Sequence, residues 1–201
     1  MIVTFSGIDG SGKTTRCQAL VLALRELGLP ATPVKPSYLA SETVKDFCEA
    51  QFQDRFGYFK NLDSNFYISC LSADWLAFLA RTLKKSDGQI LVCDRYIQDV
   101  FAQAIHMRAH ANELRRWAKL FPIPELSFFL NVSPEVAHER LLSRPSPPIH
   151  EAEALVELRA LSLAYDLVMK DFPWKPTVVS EETPTGNLVD IVAAAWTLEK
   201  Q

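Results

Sequence analysis

The chain has 201 residues, of which 48% are hydrophobic and 22% charged, and its formal net charge is -3. That length supports one well-buried domain spanning residues 1–201 and does not call for two, while the near-neutral charge excludes the global basic field of a nucleic-acid binder, so a small anionic substrate needs local cations. Cys17, Cys48, Cys70 and Cys93 lie far apart with no C-x-x-C pair, which argues against a zinc site or a disulfide framework and favours a reducing, cytoplasmic setting.

The first element is a β-branched and aromatic run, Ile2 to Ser6, ending in glycine. No charged leader with an apolar core precedes it, and no segment reaches the ~18 consecutive apolar residues of a membrane span, so neither secretion nor membrane association is expected. Cys17, Leu20, Val21, Leu24 and Leu27 then recur at helical spacing until Gly28 and Pro30 end the helix. Ala31 to Val34 reads as a second strand, broken by Lys35-Pro36-Ser37. Between Ser41 and Lys85 the chain is mostly helical, and Asn65 to Ala80 is apolar on more than one face, which predicts burial of more than one side and a homodimer packed partly through this helix.

After a turn at Ser86-Asp87-Gly88, "QILVCDRY" is the continuous apolar run of a parallel strand buried on both faces. A helix from about Gln98 to Leu120 follows, with a break near His110 to Asn112. Glu125 to Val132 is a fourth strand, and Ser133 and Pro134 supply the N-cap and first turn of the next helix. A lid at about 140–152 is expected around the proline-rich "RPSPPIH". A helix from Glu151 to Phe172, a strand from Thr177 to Ser180 and a helix from Thr185 complete the chain. Alternating strands and helices predict an α/β fold, a five-stranded parallel sheet with helices on both faces.

The loop between the first strand and helix reads "GIDGSGKTT", comprising Gly7, Ile8, Asp9, Gly10, Ser11, Gly12, Lys13, Thr14 and Thr15. It fits G-x-x-x-x-G-K-[ST] in full and in the strand–loop–helix context the motif requires. Glycines let backbone N–H groups turn inward around phosphate oxygens, the helix N-terminus adds positive charge, Lys13 reaches the β- and γ-phosphates, and the Thr14 hydroxyl binds Mg²⁺. Asp94, at the end of the third strand, is placed to hold the magnesium or its waters. No N-K-x-D guanine-reading element occurs.

With "GIDGSGKTT", "DRY" after the third strand and "LNVSPEVAHERLLSR" before a short lid, the chain resembles the thymidylate kinases over nearly its whole length. The resemblance implies ATP- and Mg²⁺-dependent phosphorylation of dTMP to dTDP, by a homodimer. It also implies that Asp9 accepts a hydrogen bond from the substrate 3'-hydroxyl and that Arg95 grips the acceptor phosphate. Some relatives carry an arginine inside the phosphate loop; here that place is Gly10, which leaves transition-state charge to Arg140 and Arg144 near the lid. Those two are one helical turn apart, and the alternative is a pair of solvated arginines.

The departures concern the acceptor. Lys35 stands where the family has an arginine-containing segment, without bidentate geometry. Leu71 and Trp75 take the places of a base-stacking aromatic and a phosphate-binding arginine, and "IQDVFAQA" lacks the usual serine and tyrosine-glutamine pattern. Trp75, Phe78 and Leu79 suit either a core or a dimer seam. Glu181 and Glu182 border the ATP base or form a solvated turn. His106 and His110 are spaced for a shared metal but lack a third ligand, which favours surface histidines.

Two rival functions remain open at this stage. A deoxynucleoside kinase phosphorylates a hydroxyl and benefits from an acid at the end of the first strand, where this chain has Ser6. A nucleotide-binding regulator keeps the loop but loses the acceptor site.

Overall fold

The computed structural model describes residues 1–83, 88–110, 118–145 and 150–199. The elements run β1 (Ile2–Ser6), α1 (Lys13–Glu26), β2 (Ala31–Val34), α2 (Ala40–Phe52), α3 (Tyr58–Asn61), α4 (Ser64–Leu83), β3 (Ile90–Asp94), α5 (Ile97–His106), β4 (Leu126–Leu130), α6 (Pro134–Leu142), a 3₁₀ turn (Glu151–Glu153), α7 (Leu155–Asp171), β5 (Thr177–Val179) and α8 (Thr185–Glu199). All five strands are parallel, in the order β2-β3-β1-β4-β5. The expected five-stranded parallel sheet with helices on both faces is present.

Strand periodicity divides the core in two. Val3 and Phe5 of β1 and Ile90 and Val92 of β3 face α1 and α8, where they meet Leu20, Leu24, Leu188 and Trp196. Leu91 and Cys93 face the opposite layer, with α4, α5 and α7, where Trp75, Val100 and Leu158 are buried. Phe5 and Phe128, neighbours in register, pack as a tilted ring pair with centroids 5.3 Å apart, a contact worth about 0.5–1.5 kcal/mol beyond area burial.

Because β1 lies between β3 and β4, connections leave its two sides in opposite directions. A crevice opens at the strands' C-terminal ends. Phe5 pairs with Asp94, so the loop after β1 and the residues after β3 emerge side by side there.

The helical stretch before β3 is three helices. Gln53 takes a left-handed φ of 56° and ends α2, and Asp54 Oδ1 accepts the Phe56 N–H at 2.9 Å to turn the chain. Helix α2 lacks an N-capping side chain of its own. Asp74 of α4 supplies one: its carboxylate accepts the N–H groups of Leu39, Ala40 and Ser41 at 2.7–3.0 Å and the Ser41 hydroxyl at 2.7 Å. This explains an acid inside an apolar helix. The apolar perimeter of α4 is only half used within the chain: Ile68, Trp75 and Leu79 are buried, whereas Phe66, Ser69, Ala73, Ala77 and Ala80 are exposed.

Element ends depart from expectation for local reasons. The run "QILVCDRY" stops being strand at Asp94 because Arg95 adopts φ 84° and turns the backbone. Strand β4 is shorter than Glu125 to Val132. Helix α5 ends at His106, before the break expected near His110, since Met107 caps it and Arg108 is left-handed at φ 57°; residues 111–117 of the expected helix lie outside the described residues. The helix expected from Glu151 is interrupted at Ala154, whose extended ψ of 150° separates the 3₁₀ turn from α7. Residues 146–149 of the expected lid, and 86–87 of the turn before β3, also lie outside the described residues.

Candidate active site

Backbone geometry makes the loop. Gly7, Gly10 and Gly12 have φ values of 150°, 81° and 91°, and Gly12 lies immediately before α1, leaving its first N–H groups free. Gly10 is constrained twice: a Cβ there would sit 2.3 Å from the Ala137 carbonyl oxygen of α6. An arginine at that position therefore requires α6 to move.

Lys13 is 5% exposed, and its ammonium donates to the carbonyls of Gly7 and Ile8, both at 2.7 Å. Burial, then the adjacent Arg95 charge, depresses it from 10.5 to about 8. Thr14 Oγ1 donates to Asp94 Oδ2 at 2.6 Å, and Asp94 Oδ1 is buried with no hydrogen-bond partner. Lys35 Nζ lies 3.8 Å from Asp94 Oδ2.

Arg95 is clamped between carboxylates. One guanidinium nitrogen donates to Asp9 and the other to Asp99 Oδ1 at 3.2 Å. Asp99 also accepts Tyr165 OH at 2.6 Å and, through its other oxygen, the Tyr96 N–H at 3.2 Å. Burial works against the Asp9 anion, but Arg95 and Lys13 outweigh it and hold the carboxyl well below the usual range. Burial likewise opposes the Arg95 cation, and the two aspartates reverse that effect.

Three cavities surround these residues. One, of about 570 Å³, is lined by Gly12, Lys13 and Thr14 from the loop and by Arg140 and Arg144 from the α6 side. A second, of about 270 Å³, continues from it between Arg16, Val132 and Glu181. The third, of about 260 Å³, lies between α4 and α5, with Leu71 and Trp75 on one side and Gln103 and His106 on the other. Asp9, Lys35 and Arg95 line both the first and the third. They form the wall between them.

Lys13 and Thr14, Asp9, Lys35 and Arg95, Leu71 and Trp75, and Arg140 and Arg144 line these adjoining cavities. Arg140 and Arg144 both face the loop cavity, but each is tied to an acid: Arg140 to Glu181 at 3.1 Å and Arg144 to Glu153 at 3.1 Å. Glu181 borders the second cavity, whereas Glu182 is exposed and lines none of these three. Trp75 is 1% exposed and held edge-on by Tyr96 and Phe78, so it is a fixed wall rather than a movable stacking partner. Phe78 is partly buried and Leu79 fully, both against the core.

His106 is not a surface residue. Its side chain is buried, with Nε2 3.0 Å from Glu157, while His110 is exposed. Among the described residues no group of three His, Cys, Asp or Glu side chains is arranged to hold a metal ion.

Sequence reasoning missed Asp99, Tyr38, Lys45, Gln103, His150 and Glu153. Asp99 left one signal: an acid four residues after Arg95, at N3 of a helix, is placed for a capping box and an i,i+4 ion pair, and it forms both.

A profile of the thymidylate kinase family matches residues 5–190. The chain belongs to the thymidylate kinase family. It is 29% identical to the thymidylate kinase of Leptospira interrogans over 84% of this chain and 81% of that protein. It is also 28% identical to a probable thymidylate kinase of Sulfolobus acidocaldarius, over 71% and 70% of the two chains. A probable thymidylate kinase of Methanocorpusculum labreanum is 27% identical over 78% of each. Membership in the thymidylate kinase family makes this chain a nucleoside monophosphate kinase, a phosphotransferase. No helix among the described residues is long and apolar enough to cross a membrane.

Proposed function

We propose that the protein transfers the γ-phosphate of ATP to the 5'-phosphate of dTMP, giving dTDP and ADP. The observation that carries this reading is the shared wall of Asp9, Lys35 and Arg95 between the loop cavity and the cavity under α4 and α5. Two phosphates held on either side of it face each other across two cations.

In this reading Gly7 to Thr15 and Lys13 hold the donor phosphates, with the base beside Arg16 and Glu181. Arg95 and Lys35 hold the acceptor phosphate and Asp9 meets the sugar hydroxyl, while Leu71 and Trp75 close the apolar side of the acceptor cavity. An oxygen of the acceptor phosphate attacks the γ-phosphorus, the bond from that phosphorus to the bridging oxygen breaks, and the electron pair leaves with ADP. Lys13, Arg140 and Arg144 balance the charge that develops, the two lid-side arginines after release from Glu181 and Glu153.

The acceptor needs no strong base, since a phosphate is already largely ionised at pH 7, with its second pKa at about 6. Among the described residues, Ser6 ends β1, and the two carboxylates beside the acceptor wall, Asp9 and Asp99, are both engaged by Arg95. This favours a phosphate over a nucleoside hydroxyl. The Thr14 hydroxyl and the Asp94 carboxylate suit magnesium, being hard oxygen donors with one buried oxygen lacking a partner. Bound there, Mg²⁺ supplies charge neutralisation on the donor phosphates.

Steady-state kinetics with dTMP, dUMP, dCMP, dGMP and thymidine tests the reading. ADP release is expected with dTMP, weakened relative to an arginine-containing pocket because Lys35 and Trp75 replace bidentate and cationic groups. Faster phosphorylation of thymidine than of every monophosphate overturns it. The exposed stripe of Phe66, Ala73, Ala77 and Ala80 on α4 supports a homodimer through this helix, and a monomer in sedimentation at micromolar concentration contradicts that.

A further inference from the structure

Glu153 lines the loop cavity and contacts, through His150, the cavity between α4 and α5. Its carboxyl is 8% exposed; Oε1 accepts Arg144 Nη2 at 3.1 Å and Oε2 lies 3.4 Å from His150 Nε2. Arg144 lines the donor cavity, whereas His150 lines the acceptor cavity. The His150 ring stacks on Phe56, another acceptor-cavity residue, at 3.6 Å and 16°. The backbone keeps Glu153 in place: its N–H donates to the His150 carbonyl at 2.9 Å, and its own carbonyl lies 3.2 Å from His138 Nδ1 of α6. One buried carboxylate therefore links a donor-side cation to an aromatic wall of the acceptor cavity.

From this geometry we infer that Glu153 is a positioning residue that couples the two substrate sites, so that filling the donor cavity tightens acceptor binding. The inference rests on the donor and acceptor assignment above. A buried carboxylate that loses its cation is costly unless another partner takes over. When a triphosphate draws Arg144 away, His150 is the remaining partner of Glu153. The attraction then falls on the imidazole, shortens the Glu153–His150 contact and fixes the His150–Phe56 stack as a rigid wall. An acceptor arriving afterwards meets an ordered cavity and loses less entropy on binding. By linkage, the acceptor must tighten donor binding by the same factor. Arg144 and His150 line different cavities, and among the described residues Glu153 is the side chain in contact with both.

Calorimetric titration of dTMP, with and without saturating β,γ-methylene-ATP and Mg²⁺, measures the coupling. The wild-type protein is expected to bind dTMP at least about fivefold more tightly with the analogue present, the lower end of ordinary coupling factors. Glu153→Gln preserves shape but removes the charge, and is expected to bring that ratio to within about twofold of unity. His150→Gln leaves the Arg144–Glu153 pair intact and is expected to do the same, which keeps the test decisive if Glu153→Gln melts at a lower temperature. A residue that merely staples the turn would change melting temperature and not the ratio. Retention of the wild-type ratio in both variants, or a wild-type ratio of one, overturns the proposal. Absence of dTMP binding under either condition overturns the acceptor reading itself, and the coupling proposal with it.

Discussion

Thr14 Oγ1 donates a 2.6 Å hydrogen bond to Asp94 Oδ2 across 80 residues of sequence, because β1 and β3 are adjacent and in register. The other Asp94 oxygen is buried without a partner. Asp94→Asn keeps the volume and the threonine contact but removes the anion. It is expected to lower kcat by roughly 10²-fold or more and to raise the Mg²⁺ concentration needed for half-maximal rate. Unchanged kcat and unchanged Mg²⁺ dependence would contradict the assignment.

Arg95 sits between Asp9 and Asp99 on the wall shared by the two cavities. Arg95→Ala is expected to raise the acceptor KM by roughly 10- to 100-fold, the equivalent of about 1.5–3 kcal/mol for one charge-assisted bond. The ATP KM should change by about twofold or less. Arg95→Lys should not restore the acceptor KM, since an ammonium cannot bridge two carboxylates as a planar fork does. Equal losses for both substrates would sink the acceptor-side placement.

The glycine-rich loop and the sheet were legible in sequence because each has a local signature. "GIDGSGKTT" encodes positive-φ glycines and a helix start, and "ILVC" encodes a strand buried on both faces. The cavity between α4 and α5 was not, because its members come from α4, α5, the residue before the 3₁₀ turn and the loop before α2, and nothing local announces that Tyr38, Gln103 and His150 share a wall. His106 shows the limit most clearly. The lack of a third ligand near His106 and His110 favours surface histidines, but α7 brings Glu157 against His106 and turns the imidazole inward. The end of α5 at His106 depended on a left-handed Arg108, a conformation that sequence alone gives little reason to expect.

Gly10 combines a φ of 81° with a virtual Cβ only 2.3 Å from the Ala137 carbonyl oxygen. The obstacle is backbone, so no rotamer change relieves it. Gly10→Ala is expected to destabilise the fold by about 2 kcal/mol or more, the clash with Ala137 adding to a backbone strain of about 1–3 kcal/mol. Gly10→Arg should be at least as damaging and should not raise kcat, because placing the side chain displaces α6 together with Arg140. A Gly10→Arg variant with wild-type melting temperature and higher turnover would show the packing argument wrong.

His106 supplies a pH test. Burial lowers its pKa below the ordinary 6.5, and the opposing pull of Glu157 does not cancel this. With Nε2 facing Glu157, Nδ1 is buried and has no partner, so protonating it adds a buried donor with nothing to accept it. The unfolded chain then binds more protons than the folded one between 6.5 and the lower folded value. Stability is therefore complete above 6.5 and declines as pH falls through that window. His106→Gln removes the titration while keeping a polar side chain toward Glu157. The wild-type protein is expected to lose more melting temperature between pH 7.5 and pH 5.5 than His106→Gln does, with each 1 kcal/mol of the difference appearing as about 2–4 °C. Part of the acid sensitivity should persist in the variant, because burial lowers His150 in the same direction. Identical acid-induced shifts in the two proteins would mean that His106 is not held neutral against Glu157.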